Sequence, residues 1–150
     1  MNVSFTPEIL HVLFVDDDSD ESYLFNEALE QSGLTIKLSR AKDGNDLLNF
    51  LQTQPLPDIV FIDLNMPYKD GLEALIEIRK DSKFEKLPLV IYSTTKNSNH
   101  IDATYKHGAS LFVVKPNTFD GMVEVVRKVC TIDWENFSTP EREGFLISAE

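Results

Sequence analysis

Ile59-Val60-Phe61-Ile62-Asp63-Leu64-Asn65-Met66-Pro67 joins an unbroken apolar tetrad to a carboxylate and a turn. Continuous apolar runs of this length suit strands buried on both faces, as in a parallel sheet covered by helices. The same design recurs outward along the chain. His11 to Val15 runs into Asp16-Asp17-Asp18, Leu89 to Val90-Ile91-Tyr92 ends on Ser93, Leu111 to Val114 ends on Lys115, and Thr35 to Ser39 supplies a fifth strand. Helical spacing fills the gaps: Tyr23, Leu24, Ala28 and Leu29 after Ser19; Leu47, Leu48 and Leu51 after Gly44; Leu72, Leu75 and Ile76 after Asp70-Gly71; and Met122, Val125, Val126 and Val129 after the N-cap Thr118. The stretch from Asn97 to His107 is more polar, and carries the fourth helix with the weakest pattern. Strands alternating with helices predict an α/β fold, a (βα)5 doubly wound parallel five-stranded sheet of the flavodoxin-like kind. In such a sheet the carboxyl ends of the strands line one crevice, so Asp16, Asp17, Asp63, Ser93 and Lys115 converge.

The chain has 150 residues, a net charge of -11 and a single cysteine, Cys130. That length fits one domain. The acidic balance argues against binding nucleic acid or an anionic membrane, both of which need clustered Lys and Arg, and points to protein partners. No apolar run approaches a membrane span, and the start lacks a signal-peptide pattern, so a cytoplasmic location is expected. One cysteine forms no internal disulfide, and Cys130 reads as a packed side chain. The expected organisation is an N-terminal extension over 1–10, a domain over 11–130 and a C-terminal tail over 131–150. The tail holds Trp134, Phe137, Phe145, Leu146 and Ile147 without sustained periodicity, and a partly disordered terminus is the expectation.

Adjacent carboxylates repel one another unless a cation offsets them, and Mg2+ takes one or two carboxylates together with waters and phosphate oxygens. Asp17 and Asp63, with a backbone carbonyl just after Asp63, meet that need; Asp18, Asp20 and Glu21 read instead as helix N-terminal acids. A carboxylate beside Mg2+ is able to attack a phosphoryl group and hold it as an acyl phosphate, which makes Asp63 the candidate nucleophile. Lys115 offers a point charge for a phosphoryl oxygen. Ser93 and Thr94 compete to donate a hydroxyl hydrogen bond there, since neighbouring strand residues face opposite sides.

Taken together, Asp16-Asp17, Asp63-Leu64-Asn65-Met66-Pro67 with Asp70-Gly71, Ser93-Thr94, Gly108-Ala109 and Lys115-Pro116 resemble the receiver domain of two-component response regulators over roughly His11 to Cys130. The resemblance implies Asp63 as phosphoacceptor and Mg2+ as cofactor, held by Asp17 directly, Asp16 through water, Asp63 and the Asn65 backbone carbonyl. It puts Ser93 at the switch hydroxyl, Thr94 where a backbone N–H meets phosphate, Lys115 at the phosphoryl-pairing lysine, often followed by a cis proline bond, and Phe112 at the aromatic switch. The implied donor is a phosphohistidine on a sensor histidine kinase or a histidine phosphotransfer protein. The implied output is a face formed by the fourth helix, fifth strand and fifth helix and read by a separate target protein, since too little chain follows Cys130 for an effector domain.

Two other readings are weighed against this one. A pseudo-receiver that binds partners without phosphorylation need not retain Asp16, Asp17, Asp63, Ser93 and Lys115. A phosphatase with an Asp nucleophile is disfavoured by Asn65, which stands where a second acid is needed. His11, His100 and His107 are too dispersed for one metal ion. Tyr92 and Tyr105 are candidates for the output face.

Overall fold

Every strand of the sheet pairs in parallel, in the order β2-β1-β3-β4-β5-β6. The computed structural model describes residues 9–66 and 68–148; Pro67 of the loop motif, most of the expected N-terminal extension and the last two residues of the tail lie outside the described residues. The strands are β1 (Leu10–Val15), β2 (Ile36–Ala41), β3 (Ile59–Ile62), β4 (Leu89–Ser93), β5 (Leu111–Val114) and β6 (Leu146–Ile147). The helices are α1 (Ser19–Gln31), α2 (Gly44–Thr53), α3 (Gly71–Arg79), α4 (Ser98–Lys106), α5 (Phe119–Cys130) and the short α6 (Arg142–Phe145). All residues of β3, β4 and β5 are buried, which is why their sequences are unbroken apolar runs. The second strand ends two residues later than Ser39, because Arg40 and Ala41 continue the ladder against Phe14 and Val15.

The sheet divides the core in two. One layer holds Phe14, Phe25, Phe61, Tyr92 and Val126, and the other holds Leu47, Leu75, Ile91, Phe112 and Phe145. Phe14 and Phe25 stack with centroids 4.1 Å apart, and this contact sets the rotation of α1. The helix therefore buries Phe25, Ala28 and Leu29, whereas the expected stripe began with Tyr23 and Leu24, which are exposed. In α3 the buried line is Ala74, Leu75 and Ile78 rather than one through Ile76. The polar fourth helix does form, capped by the Asn97 side chain, which accepts from the Asn99 and His100 N–H groups. Thr118 caps α5 as expected. No helix among the described residues is long and apolar enough to cross a membrane.

The tail departs from expectation. Residues 131–148 pack on the body, and the sheet gains a sixth strand: Leu146 and Ile147 pair with Phe112 and Val113 of β5. Phe145 is fully buried, with its ring 5.0 Å from that of Tyr105 and 6.4 Å from that of Phe112. Tyr105 donates its hydroxyl to the Pro140 carbonyl at 3.2 Å, and Arg142 pairs with Asp102 of α4 at 2.6 Å. Trp134 is anchored separately, donating its indole N–H to the Val129 carbonyl. The apolar residues of the tail thus serve as anchors on the body, with no helical period of their own.

Candidate functional site

Strand order reverses between β1 and β3: the chain leaves β1 to pair β2 on one side, then returns to pair β3 on the other. A crevice opens at such a reversal, beyond the carboxyl ends of the strands. Asp16 and Asp63 each extend their strand by one backbone bond, Asp16 N–H to the Ala41 carbonyl at 3.1 Å and Asp63 N–H to the Val15 carbonyl at 3.0 Å. Lys115 does the same after β5, donating its N–H to the Ser93 carbonyl at 2.9 Å. These regular bonds hold the three side chains at one edge.

Asp16, Asp17 and Asp63 present carboxylate oxygens within 4.8 Å of one another. Asp16 and Asp63 are buried while Asp17 faces solvent, so the cluster opens outward through Asp17. One Asp16 oxygen accepts from the Asp18 N–H at 2.8 Å, but the other, Oδ2, is buried without a hydrogen-bond partner. An acceptor orphaned beside two other carboxylates is what a hard divalent cation satisfies, so the donor set fits such an ion. Among the described residues this is the only cluster of its kind, and none of the histidines joins it; His11 pairs its ring with the Ser39 hydroxyl at 2.8 Å.

Lys115 stands in the middle. Its ammonium lies 3.6 Å from Asp63 Oδ2, 3.6 Å from Asp16 Oδ2 and 3.5 Å from Glu21 Oε1. Glu21, read from sequence as a helix-terminal acid, is therefore part of the site. Asp18 keeps the simpler role, capping α1 by accepting from the Asp20 N–H. Glu21 carried no signal of its own, because its contact with Lys115 depends on how α1 sits over the sheet edge.

The loop after Asp63 is held tightly. Asn65 N–H donates to Asp63 Oδ1 at 3.2 Å, Gly71 N–H to the Leu64 carbonyl at 3.2 Å, and Asp70 with Glu73 forms a capping box at the start of α3. A Cβ on Gly71 would collide with the Asp63 carbonyl and come within 2.9 Å of Leu64 Cα. Neither is able to yield, because both are backbone. Gly71→Ala is expected to lower stability by about 1–3 kcal/mol through overpacking and to weaken divalent-metal binding, read by urea unfolding and calorimetric titration.

Ser93 is fully buried, and its hydroxyl accepts from the Thr95 N–H at 3.3 Å. Thr94 is exposed and lines a surface cavity with Pro116, Thr118 and Ser148. The Lys115–Pro116 bond is trans, in contrast to the cis bond that the resemblance suggested. Phe112 is already fully buried, covered by Phe145. Tyr105 lies under the same residue, whereas Tyr92, expected as a candidate for the output face, is fully buried in the opposite core layer, beneath Lys115. Cys130 is buried, and burial pushes its thiol up to about 12, in keeping with a packed side chain.

Burial pushes the Asp16 carboxyl up from 3.8 to about 6; the Asp18 N–H and Lys115 oppose the rise, and the charges of Asp63 and Glu21 add to it. In the folded, metal-free chain Asp16 thus keeps its proton up to about pH 6, whereas the unfolded chain releases it above about pH 3.8. Its contribution to metal-free stability is therefore expected to fall as pH rises from about 4 to about 6. Metal binding needs the ionised form and runs the other way, strengthening as pH rises through about 6. Unfolding of the chelator-treated protein against pH, compared with Asp16→Asn, isolates the first effect. Titration with Mg2+ at each pH measures the second.

Comparison with protein families matches residues 12–127 to the response regulator receiver domain. Response regulator Rcp1 of Synechocystis sp. is 28% identical over 135 residues, covering 86% of this chain and 92% of that protein. The crystal structure of the Mn(2+)-bound form of Rcp1 superposes with a TM-score of 0.74, covering 89% of this chain and 99% of that one. The phosphorylated cyanobacterial phytochrome response regulator RcpA gives 0.76 at 25% identity, over 88% of this chain and 99% of that one. Response regulator RPA3017, from red light signaling of R. palustris, gives 0.77 at 26% identity, over 87% and 98%. With the family match spanning most of the chain and the acids and lysine gathered at the crevice of the sheet, this protein belongs to the response regulator receiver domain family.

Proposed function

We propose that the chain is the phosphoaccepting switch of a two-component or phosphorelay pathway, with Asp63 taking the phosphoryl group from a phosphohistidine on a sensor histidine kinase or histidine phosphotransfer protein. The observation that carries this reading is Lys115, nearly buried and 3.6 Å from Asp63 Oδ2, beside a cluster with an orphaned carboxylate oxygen. Asp16, Asp17, Asp63 and the Asn65 carbonyl would hold Mg2+, whose chemistry when bound is to offset charge on the transferring phosphoryl oxygens. A carboxylate oxygen of Asp63 attacks phosphorus in line as the P–N bond to the donor imidazole breaks and the imidazole leaves; Lys115 leaves Asp16 and Glu21 to pair with a phosphoryl oxygen. The Ser93 hydroxyl and the Thr94 backbone N–H donate to the other oxygens. Ser93 has to give up its contact with the Thr95 N–H to do so. That movement opens space toward Phe112 and so reaches the covering segment through Phe145, altering a face read by a target protein. Hydrolysis of the acyl phosphate returns the resting state.

RcpA is a phytochrome response regulator and RPA3017 a regulator in red light signaling, which makes a phytochrome-type sensor kinase the first donor to test. Radiolabelled phosphoryl transfer from such an autophosphorylated kinase is expected to be Mg2+-dependent and blocked by chelator. Retention of the label on the kinase, under conditions where calorimetry shows Mg2+ bound to this chain, would exclude that donor. The same result with a panel of phosphotransfer proteins would favour the phosphorylation-independent interaction module.

A further inference from the structure

Among the described residues Tyr92 is the largest fully buried side chain, and its hydroxyl has no hydrogen-bond partner there. Phenylalanine would fill the same space without burying an unpaired polar group, so packing alone does not account for the tyrosine. Three aromatic rings hold it edge-on: Phe25 at 5.5 Å, and Phe14 and Phe61 each at 6.1 Å. Above it lies Lys115, whose ammonium is 5.5 Å from the Tyr92 ring centroid, within range of a cation–π contact. The ammonium is also shared among Asp16, Glu21 and Asp63 at 3.5–3.6 Å, distances longer than a direct charge-assisted hydrogen bond. Lys115 is thus spread between three anions and one ring. Two other buried polar atoms lack partners among the described residues, Asp16 Oδ2 in the same group and Nε of Arg40, whose Nη2 donates to the Asp16 backbone carbonyl at 3.0 Å.

Burial raises the Tyr92 ionisation, and the charges of Glu21 and Asp16 raise it further, so the hydroxyl stays protonated and keeps a hydrogen to donate. A divalent cation among Asp16, Asp17 and Asp63 repels the Lys115 ammonium. The Asp16 and Glu21 carboxylates then lose the ammonium while keeping lone pairs that the ion does not occupy. Of the two buried donors without a partner among the described residues, Arg40 Nε and the Tyr92 O–H, the tyrosine is the one whose ring lies under Lys115.

We propose that Tyr92 is a positioning residue of this site: its ring seats the Lys115 ammonium beside Asp63, and its hydroxyl donates to the Asp16–Glu21 carboxylates when the metal site is filled. The inference rests on the phosphoacceptor reading only for its consequence in phosphorylation; the seating of Lys115 and the metal dependence stand apart from it.

The test uses the whole chain as Tyr92→Phe and Tyr92→Leu, each first shown folded by its unfolding transition. By NMR the Lys115 ε-methylene protons should be shifted upfield by the ring in the wild type and in Tyr92→Phe, and lose that shift in Tyr92→Leu. Tyr92→Phe should bind Mg2+ about tenfold more weakly by calorimetry, the scale on which an outer partner of a metal ligand acts. Tyr92→Leu should also slow phosphorylation by a small phosphodonor at saturating Mg2+ on the order of tenfold, the scale of a desolvated cation–π contact. Unshifted Lys115 protons in the wild type overturn the ring's role, and unchanged Mg2+ affinity in Tyr92→Phe overturns the hydroxyl's. A wild type that shows both effects yet takes up no phosphoryl group sinks the phosphoacceptor reading and leaves the positioning role intact.

Discussion

Asp63→Asn is expected to take up no phosphoryl group from any donor, while remaining folded. The amide keeps the size of the carboxylate and its carbonyl still accepts from the Asn65 N–H, so the loop is preserved. What it removes is nucleophilicity and one negative charge. Lys115 then has two carboxylates to share instead of three, and the buried Asp16 loses a neighbour that raises its pKa. The substituted chain should therefore be no less stable than the wild type without metal, yet bind Mg2+ more weakly, having one ligand fewer. Intact-mass measurement after treatment with a small phosphodonor reads the first effect, and unfolding with and without Mg2+ reads the second. A phosphorylated Asp63→Asn chain would move the nucleophile to another residue.

Phe145→Ala is expected to lower stability by about 3–5 kcal/mol, the usual cost of emptying a fully buried phenylalanine site. The residue closes the layer containing Phe112 and Tyr105, and β6 follows it directly, so its loss releases two devices together: the aromatic anchor and the pairing of Leu146 and Ile147 along β5. Arg142–Asp102 does not compensate, because it is an exposed pair of the kind that contributes little. Chemical denaturation gives the magnitude, and amide exchange at Phe112 and Val113 tells whether β6 has left. A change below about 1 kcal/mol with protection retained at β5 would mean that Phe145 is not the anchor.

The parts of the fold legible in the sequence were those set by local pattern. The tetrads ending at Val15, Ile62 and Val114 had to be strands buried on both faces, and their chemistry-bearing successors had to meet at one edge. What escaped was set by contacts between distant segments. Leu146–Ile147 is too short for any period, and its pairing depends on Phe145 finding a pocket between Tyr105 and Phe112. The rotation of α1 by one position follows from Phe14 stacking on Phe25, which no spacing rule within α1 encodes. Glu21 was missed, and Tyr92 was placed among candidates for the output face, for the same reason. One is an ordinary first-turn acid and the other an ordinary core aromatic until Lys115 is placed between them. The trans bond before Pro116 is a departure that no residue in the motif announced.

The segment over β5 also changes the expected output. Phe112, which the resemblance puts at the aromatic switch, is buried here under Phe145 of the same chain. Any signal leaving through β5 therefore has to move, or pass through, the segment that contains Phe145.

Asp63 is the proposed carrier of the phosphoryl group. Treatment with a small phosphodonor and Mg2+, followed by borohydride reduction and peptide sequencing by mass spectrometry, tests it directly, because reduction converts an aspartyl phosphate to homoserine. Homoserine at position 63 alone is the predicted result; homoserine at Asp16 or Asp17, or none at any position while Mg2+ is bound, would contradict it.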